Sequence, residues 1–550
     1  MNTSIVRRLI LGWVAGGASF ACSSEEEPVA DLGVIADLGP RDLGVGQDLG
    51  MIDSGPDGGD AGLDGGPIDS GADGGGLDSG PPVDGGTPVL GERPVTRGGN
   101  YFGFPERFNR AYTDPSWTPT RTLWVSPNGT GDGSSANTPA AANDTPNLVE
   151  PGTKVIFLAG TYSNFCIELD DTTSGTYDQP IVLAAERAGA AWDVHLECCG
   201  SGRQTCVNLE NASYVAVLDF EMSGGNYGVR SVGGGFEASN HARGILALGN
   251  HIHGQERDPI LTGASDWDVF EANVCHDGGP GDGHGIYLSN GSDFNIVRGN
   301  ELYENVSSDF QINADPTFSC TDVGIPFDDP RCDDYAGTGE GGQGVSDYML
   351  IENNFFHHGN AQGPNFTSVR RSVVRNNIFG IYDRHGVSFW QETDNPRLGS
   401  SDNQVHHNLF IASNQRQMLM FIVDSTRNDV RNNLFVGAEI DNAVTANPNA
   451  VWIETDATVG ANVYAGNYYI SGRFDGDAPR AANASETTRA DLDPSWWANF
   501  PTQLAHDPQA FRPTAAAPFV GSVARLPELG ADRDGRPRAD PTTPGPFEAP

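Results

Sequence analysis

Lysine is almost missing from this 550-residue chain: one of its 32 cationic residues, Lys154, is a lysine, and 73 acidic residues leave a formal net charge of −41. The clustered cations that neutralise phosphates are lacking, which argues against a nucleic-acid partner. Chemistry that needs a lysine base or Schiff base is confined to one position. Residues 23–98 also lack aromatic residues and apolar periodicity, and carry sixteen acids against three arginines in repeats of DLG, DGG and DSG. Such a segment cannot bury enough surface to offset its chain entropy, which predicts a disordered tether. A calcium-binding aspartate-glycine nonapeptide array would need a strict period, and the spacing here wanders.

The first residues have a different character. Arg7 and Arg8 precede the apolar stretch LILGWVAGGASF (9–20) and small Ala21, the pattern of a secretory signal over 1–21. The stretch is too short to span a bilayer comfortably. Cys22, followed by SSEEE, resembles the lipidated cysteine of bacterial lipoproteins; Ser19-Phe20-Ala21 also suits an ordinary signal peptidase. Either route exports the chain. The expected location is the bacterial cell envelope, as an outer-membrane lipoprotein held by Cys22 and the 22–98 linker, or the secreted space.

Residues 99–550 carry a repeat. An Asn followed by apolar residues recurs at Asn250 (NHIH), Asn273 (NVCH), Asn300 (NELY), Asn354 (NFFH), Asn377 (NIFG), Asn408 (NLFI), Asn433 (NLFV) and Asn467 (NYYI). The intervals are 23, 27, 54, 23, 31, 25 and 34, and the longest contains an insertion, residues 316–346. Short alternating segments flank each Asn, which indicates strands. Short strands in units of about 25 residues, each parallel to its counterpart in the next unit, describe a coil that buries one continuous column. Asn suits the bend because it tolerates the left-handed backbone conformation and its amide can bond the Asn one coil away.

The chain thereby resembles the right-handed parallel β-helix proteins of the pectate-lyase-like superfamily. The likeness is carried by LWVSPNGTGDG (123–133), VEPGTKVIFLAGTY (149–162) and QPIVLAAE (179–186), by the repeats over 213–472, and by the closing HDPQAFRPTAAAPFVG, GADRDGRPR and GPFE (506–548). It implies an all-β, right-handed parallel β-helix solenoid with a C-terminal segment, 473–550. The fold serves several chemistries and also plain binding.

Seven cysteines follow Cys22. In an exported chain nearby pairs oxidise. Cys320 and Cys332 would close the insertion, Cys206 would pair with Cys198 or Cys199, and the remaining one of these would reach Cys166. Cys275, at an apolar position of the repeat, is expected to be a buried free thiol.

Aligning the units at their Asn sets GDGHGIYL (281–288) and YDRHGVSF (382–389) at one height, where the loop enters a strand. In the resembled superfamily this edge lines the substrate groove. Asp282, His284, Asp383, Arg384 and His385 fall there, with Asp309 near the position of Gly285 and Asp315 at the far end of that strand. The two HG motifs are three coils, or about 14 Å, apart. His284, Asp309, Arg384 and His385 are the candidate catalytic groups, and Asp282, Tyr287, Asp315 and Trp390 the candidate substrate contacts. The bland alternative has Gly relieving a crowded turn and His capping a strand edge, with the aromatics in outward stacks. The polygalacturonase motifs beyond Gly-His-Gly are missing, and Lys154 lies in an early coil. A lyase with an Arg or His base therefore fits better than a hydrolase or a lysine-dependent lyase. Within the insertion, Asp328, Asp329, Asp333 and Asp334 could ligate calcium; a solvated acidic loop is the equal alternative.

Two functions follow: a polysaccharide lyase acting on an extracellular glycan, or a non-catalytic glycan-binding or adhesin-type surface protein. A monomer is expected.

Overall fold

The computed structural model describes residues 105–550 except 187–191, 201–203, 236, 281–282, 334–341, 383, 394, 412–416, 438–450, 471–488, 491–492, 500–505 and 528. The signal, Cys22 and the linker lie outside the described residues.

Strands dominate, in three long parallel sheets of 13, 12 and 10 strands. The neighbours of each strand belong to the preceding and following coils, so the chain winds as a right-handed parallel β-helix. One coil illustrates the rest: Leu246–Leu248 lies in the first sheet, His251–His253 in the second and Ile260–Gly263 in the third. The next coil repeats this with Val269–Glu271, Val274–His276 and Ile286–Ser289. In the first sheet Leu246, Val269, Ile296, Leu350 and Val373 are directly in register.

The repeated Asn sits at the bend from the first sheet to the second, and the eight form one unbroken ladder. Nδ2 of each donates to Oδ1 of the next at 2.9 to 3.1 Å, from Asn250 to Asn467. The 54-residue step from Asn300 to Asn354 is bridged like the others, so the insertion leaves the helix without adding a coil. The expectation about backbone conformation needs correction. The left-handed residue is the one before the ladder Asn: Gly249 (φ 73°), Ala272 (54°), Gly299 (64°), Asn353 (59°) and Asn376 (56°) among them. The bend happens one residue early, which turns the Asn side chain inward to meet its neighbours.

Two places after each ladder Asn lies an inward residue. Phe356, Phe379, Phe410, Phe435 and Tyr469 stack there with centroids 4.8 to 5.2 Å apart. Cys275 occupies the same column and is a free, buried thiol. A second ladder, at the turn from the third sheet to the first, joins Ser372, Asn403, Asn428 and Asn462.

The outer faces of two sheets are covered by segments that flank the coils. Phe108 and Tyr112, the latter in the short helix Arg110–Thr113, pack on Leu246, Val269 and Ile296 of the first sheet. Trp497, Phe511, Phe519 and Phe547 of the C-terminal segment cover Phe355, Ile378, Leu409 and Leu434 of the second. That cover explains why NLFI and NLFV are apolar at every position. The disulfides are Cys166–Cys199, Cys198–Cys206 and Cys320–Cys332.

Candidate functional site

The outer face of the third sheet is polar. Arg230, Leu261, Tyr287 and Gln311 stand in register, and the row continues through Asn365 and Ser388. Alternation puts these side chains outward, because Ile286, Leu288 and Phe310 on the same strands belong to the core, yet all six are buried, at 0 to 6% exposure. The row is knitted laterally. Arg230 Nη1 donates to Asn208 Oδ1 at 2.9 Å and Asn208 Nδ2 to Glu168 Oε2 at 3.0 Å. Asn365 Nδ2 donates to Gln311 Oε1 at 3.2 Å, while its Oδ1 accepts from Ser388 Oγ at 2.8 Å and from Trp390 Nε1 at 2.7 Å.

Loops border both edges of this floor. At the outgoing edge the insertion folds on a small core of Cys320, Ile325, Cys332, Val345 and Leu398, and Asp333 pairs with Arg397. The insertion is thus clamped to the loop that follows strand Val387–Trp390. A pocket lined by Thr317, Phe327, Asp328, Glu392, Thr393, Asn395 and Pro396 opens at their junction.

At the incoming edge Asp258, His284 and Ser308 occupy one position on three consecutive coils. The His284 main-chain N–H donates to Asp258 Oδ1 at 2.8 Å. Around its Nδ1 lie the Ser308 hydroxyl at 2.9 Å and the Ser308 amide at 3.3 Å, and its ring meets Tyr287 edge-on at 5.0 Å. Asp258 and Ser308 were not singled out from sequence, although their place one coil either side of His284 is the signal that finds them. Tyr287 is itself buried, beside Tyr227 and Leu261. Two strands beyond Ser308 on the same edge come exposed Arg384 and half-buried His385. Burial, with repulsion from Arg384, lowers the His385 imidazole to about 4. It is therefore neutral at pH 7. Half-buried Trp390 ends the same strand.

Asp309 is placed differently from these groups. Its side chain turns into the closed corner of the coil, where Asn305 Nδ2 donates to Oδ1 at 3.0 Å, and Oδ2 lies enclosed near Gly359 and the buried Tyr382. Burial raises its carboxyl well above the ordinary range. A carboxyl raised in the folded state makes stability fall as pH climbs from the unfolded value toward the folded one. Asp309→Asn, which imitates the neutral form, should therefore raise the thermal midpoint at pH 8 and leave it nearly unchanged at pH 4. Equal midpoints of variant and wild type at both pH values would contradict a raised Asp309 carboxyl.

Of the other expected contacts, Asp315 caps the helix Pro316–Ser319 by accepting from the Phe318 amide at 3.1 Å. Asp282 and Asp383 lie outside the described residues. In the acidic loop Asp329 accepts from Arg331 Nη2 at 2.9 Å, Asp333 pairs with Arg397, Asp328 is exposed at the pocket and Asp334 lies outside the described residues. Lys154 is on strand Thr153–Phe157 of the first sheet.

No known protein family matches the sequence, and no curated protein does. Among solved structures the chain is similar to the pectate lyase Pel9A, at 13% identity and a TM-score of 0.51, over 79% of this chain and 98% of that one. XylC in complex with xylose matches at 11% identity and a TM-score of 0.43, over 68% and 86%. An alginate lyase from a Paenibacillus species matches at 12% identity and a TM-score of 0.36, over 64% and 98%. At 13% identity the likeness to the pectate lyase is one of fold.

Proposed function

We propose that the chain is an exported, membrane-tethered protein that binds an extended polysaccharide along the loop-bordered edges of the third sheet and cleaves it by β-elimination. The observation that carries this reading is the pairing of Arg384 and His385 on the incoming edge of that sheet: an exposed guanidinium beside an imidazole that burial keeps neutral. In a uronate chain the guanidinium would pair with the carboxylate and stabilise charge developing on it. The imidazole would take the proton from the carbon next to that carboxylate, the electron pair would form the new carbon–carbon double bond, and the glycosidic oxygen would leave with its bonding electrons. An arriving carboxylate offsets the repulsion from Arg384 and so makes His385 more basic. Trp390, about 16 Å further along the strand direction, offers an aromatic platform for a more distant sugar of a bound chain.

A chain of net charge −41 repels a polyanion. Calcium held between uronate carboxylates and groups such as Asp328 would relieve that repulsion, so turnover is assayed with and without it. Formation of unsaturated uronide and of reducing ends over a panel of acidic and neutral glycans tests the reading. His385→Ala should lower turnover about 100-fold or more with the fold intact. A wild-type protein that binds glycans and turns none over would replace this reading with the second one, a non-catalytic binding module.

A further inference from the structure

Beyond the reach of the C-terminal segment, the outer face of the second sheet is neither apolar nor covered in the same way. Consecutive strands there bring together Glu221, His251, His253 and His276: Glu221 is opposite His251, and His253 is opposite His276. The carboxylate oxygen of Glu221 and the ring nitrogens of His251 and His253 all lie within 4.8 Å of one another, and all three residues are half-buried. His253 Nε2 is 3.2 Å from Glu221 Oε1, and His251 Nε2 is 2.8 Å from His276 Nε2. The three imidazoles are mutually stacked or tilted, with centroids 4.6 to 5.2 Å apart.

The surroundings orient these rings as a metal site does. His276 Nδ1 donates to Asp277 Oδ2 at 2.8 Å, a carboxylate–histidine pair that leaves Nε2 with its lone pair facing the cluster. The Trp192 ring lies 4.6 Å from that of His251 and is fixed by its Nε1 donating to the Gly249 carbonyl at 2.9 Å.

We propose that Glu221, His251 and His253, with His276 as the fourth ligand, hold a zinc-class divalent ion that ties three consecutive coils together. Nitrogen-rich donors with one carboxylate suit zinc and its neighbours in the first transition row, whereas calcium and magnesium need an oxygen shell. Ligand atoms around tetrahedral zinc are about 3.3 Å apart, against separations of up to 4.8 Å among Glu221, His251 and His253 and of 2.8 Å between the Nε2 atoms of His251 and His276, so side-chain rotation brings the set together around the ion. Solvent reaches the site, because the side chains of His253 and Glu221 keep 27% and 28% of their exposure.

A nearby cluster supplies the internal control. Glu301 Oε1 already accepts from His506 Nδ1 at 2.6 Å and from His357 Nε2 at 3.1 Å, which makes a closed hydrogen-bonded clip. The test uses full-length protein without a histidine tag, stripped with chelator and titrated with zinc alone. One equivalent should remain after dialysis and raise the thermal midpoint, cobalt should give the visible absorption of a four-coordinate nitrogen and oxygen site, and millimolar calcium should displace neither. Glu221→Gln with His253→Gln should weaken zinc binding at least 10-fold with an unchanged circular-dichroism spectrum, and His276→Gln should weaken it less. His506→Ala should leave it unaltered. The proposal is overturned by failure of the wild type to retain zinc, by retention in the double variant, or by loss in His506→Ala with retention in the double variant.

Discussion

Replacing Asn354 with alanine is expected to destabilise the β-helix by about 3 to 5 kcal/mol, because each buried donor or acceptor left without a partner costs about 1 to 3 kcal/mol. Asn354 is fully buried. Its Nδ2 donates to Val297 O at 2.9 Å and to Asn377 Oδ1 at 3.0 Å, and its Oδ1 accepts from Asn300 N at 3.0 Å and Asn300 Nδ2 at 2.9 Å. Alanine removes all four bonds at once, in the coil that also carries the insertion. Equilibrium unfolding in urea gives the measurement. A cost below about 1 kcal/mol would mean that water replaces the amide, and the ladder would then not be the closed element described above.

The second large effect is expected at Glu352, on the outer face of the first sheet. Its two oxygens accept from Arg298 Nε at 2.6 Å and Arg375 Nε at 2.7 Å, and Arg298 Nη1 also donates to the Tyr112 hydroxyl at 3.0 Å. Burial alone would raise this carboxyl, but Arg375 and Arg298 outweigh it and hold Glu352 at about 2. Glu352→Leu strands buried positive charge and should cost about 3 to 5 kcal/mol at pH 7. The sign of the pH dependence follows from the lowered value. The stabilisation is fully present above about pH 4.5 and is lost as pH falls toward 2, about 3 kcal/mol over that interval. Glu352→Gln should therefore flatten the acid limb of stability against pH. Because Arg298 holds Tyr112, the variant should also loosen the segment around Arg110–Thr113, seen as faster proteolysis there. An acid limb unchanged in Glu352→Gln would show that other groups set it.

Much of the coil was legible in the sequence because its devices are periodic. A ladder needs the same side chain at the same bend in every coil, so Asn recurs, and the inward aromatic two places later recurs with it. The Cys320–Cys332 pair was legible because both cysteines lie in one insertion, whereas the adjacent Cys198 and Cys199 were interchangeable in sequence and only the structure joins Cys198 to Cys206 and Cys199 to Cys166. The second ladder was missed, since Ser372 stands where Asn would show and the register is broken by variable turns. The His-rich face was missed although its signal is present: NHIH, NVCH and NFFH place His three positions after the ladder Asn. Outward position alone does not say what lies over a side chain.

Sequence by itself determined the winding, the inward column, the Cys320–Cys332 pair and the poverty of cations, because each depends on local spacing or composition. Which outer face stays polar was decided by tertiary structure alone. The segment around the helix Arg110–Thr113 and the C-terminal segment cover apolar rows on two sheets, and contacts such as Phe355 with Phe511 join residues more than a hundred positions apart. The setting of each candidate group was decided in the same way. Ser308 reaches His284 from the next coil, while Asp309, one residue on, turns into the closed corner where desolvation raises its carboxyl well above the ordinary range.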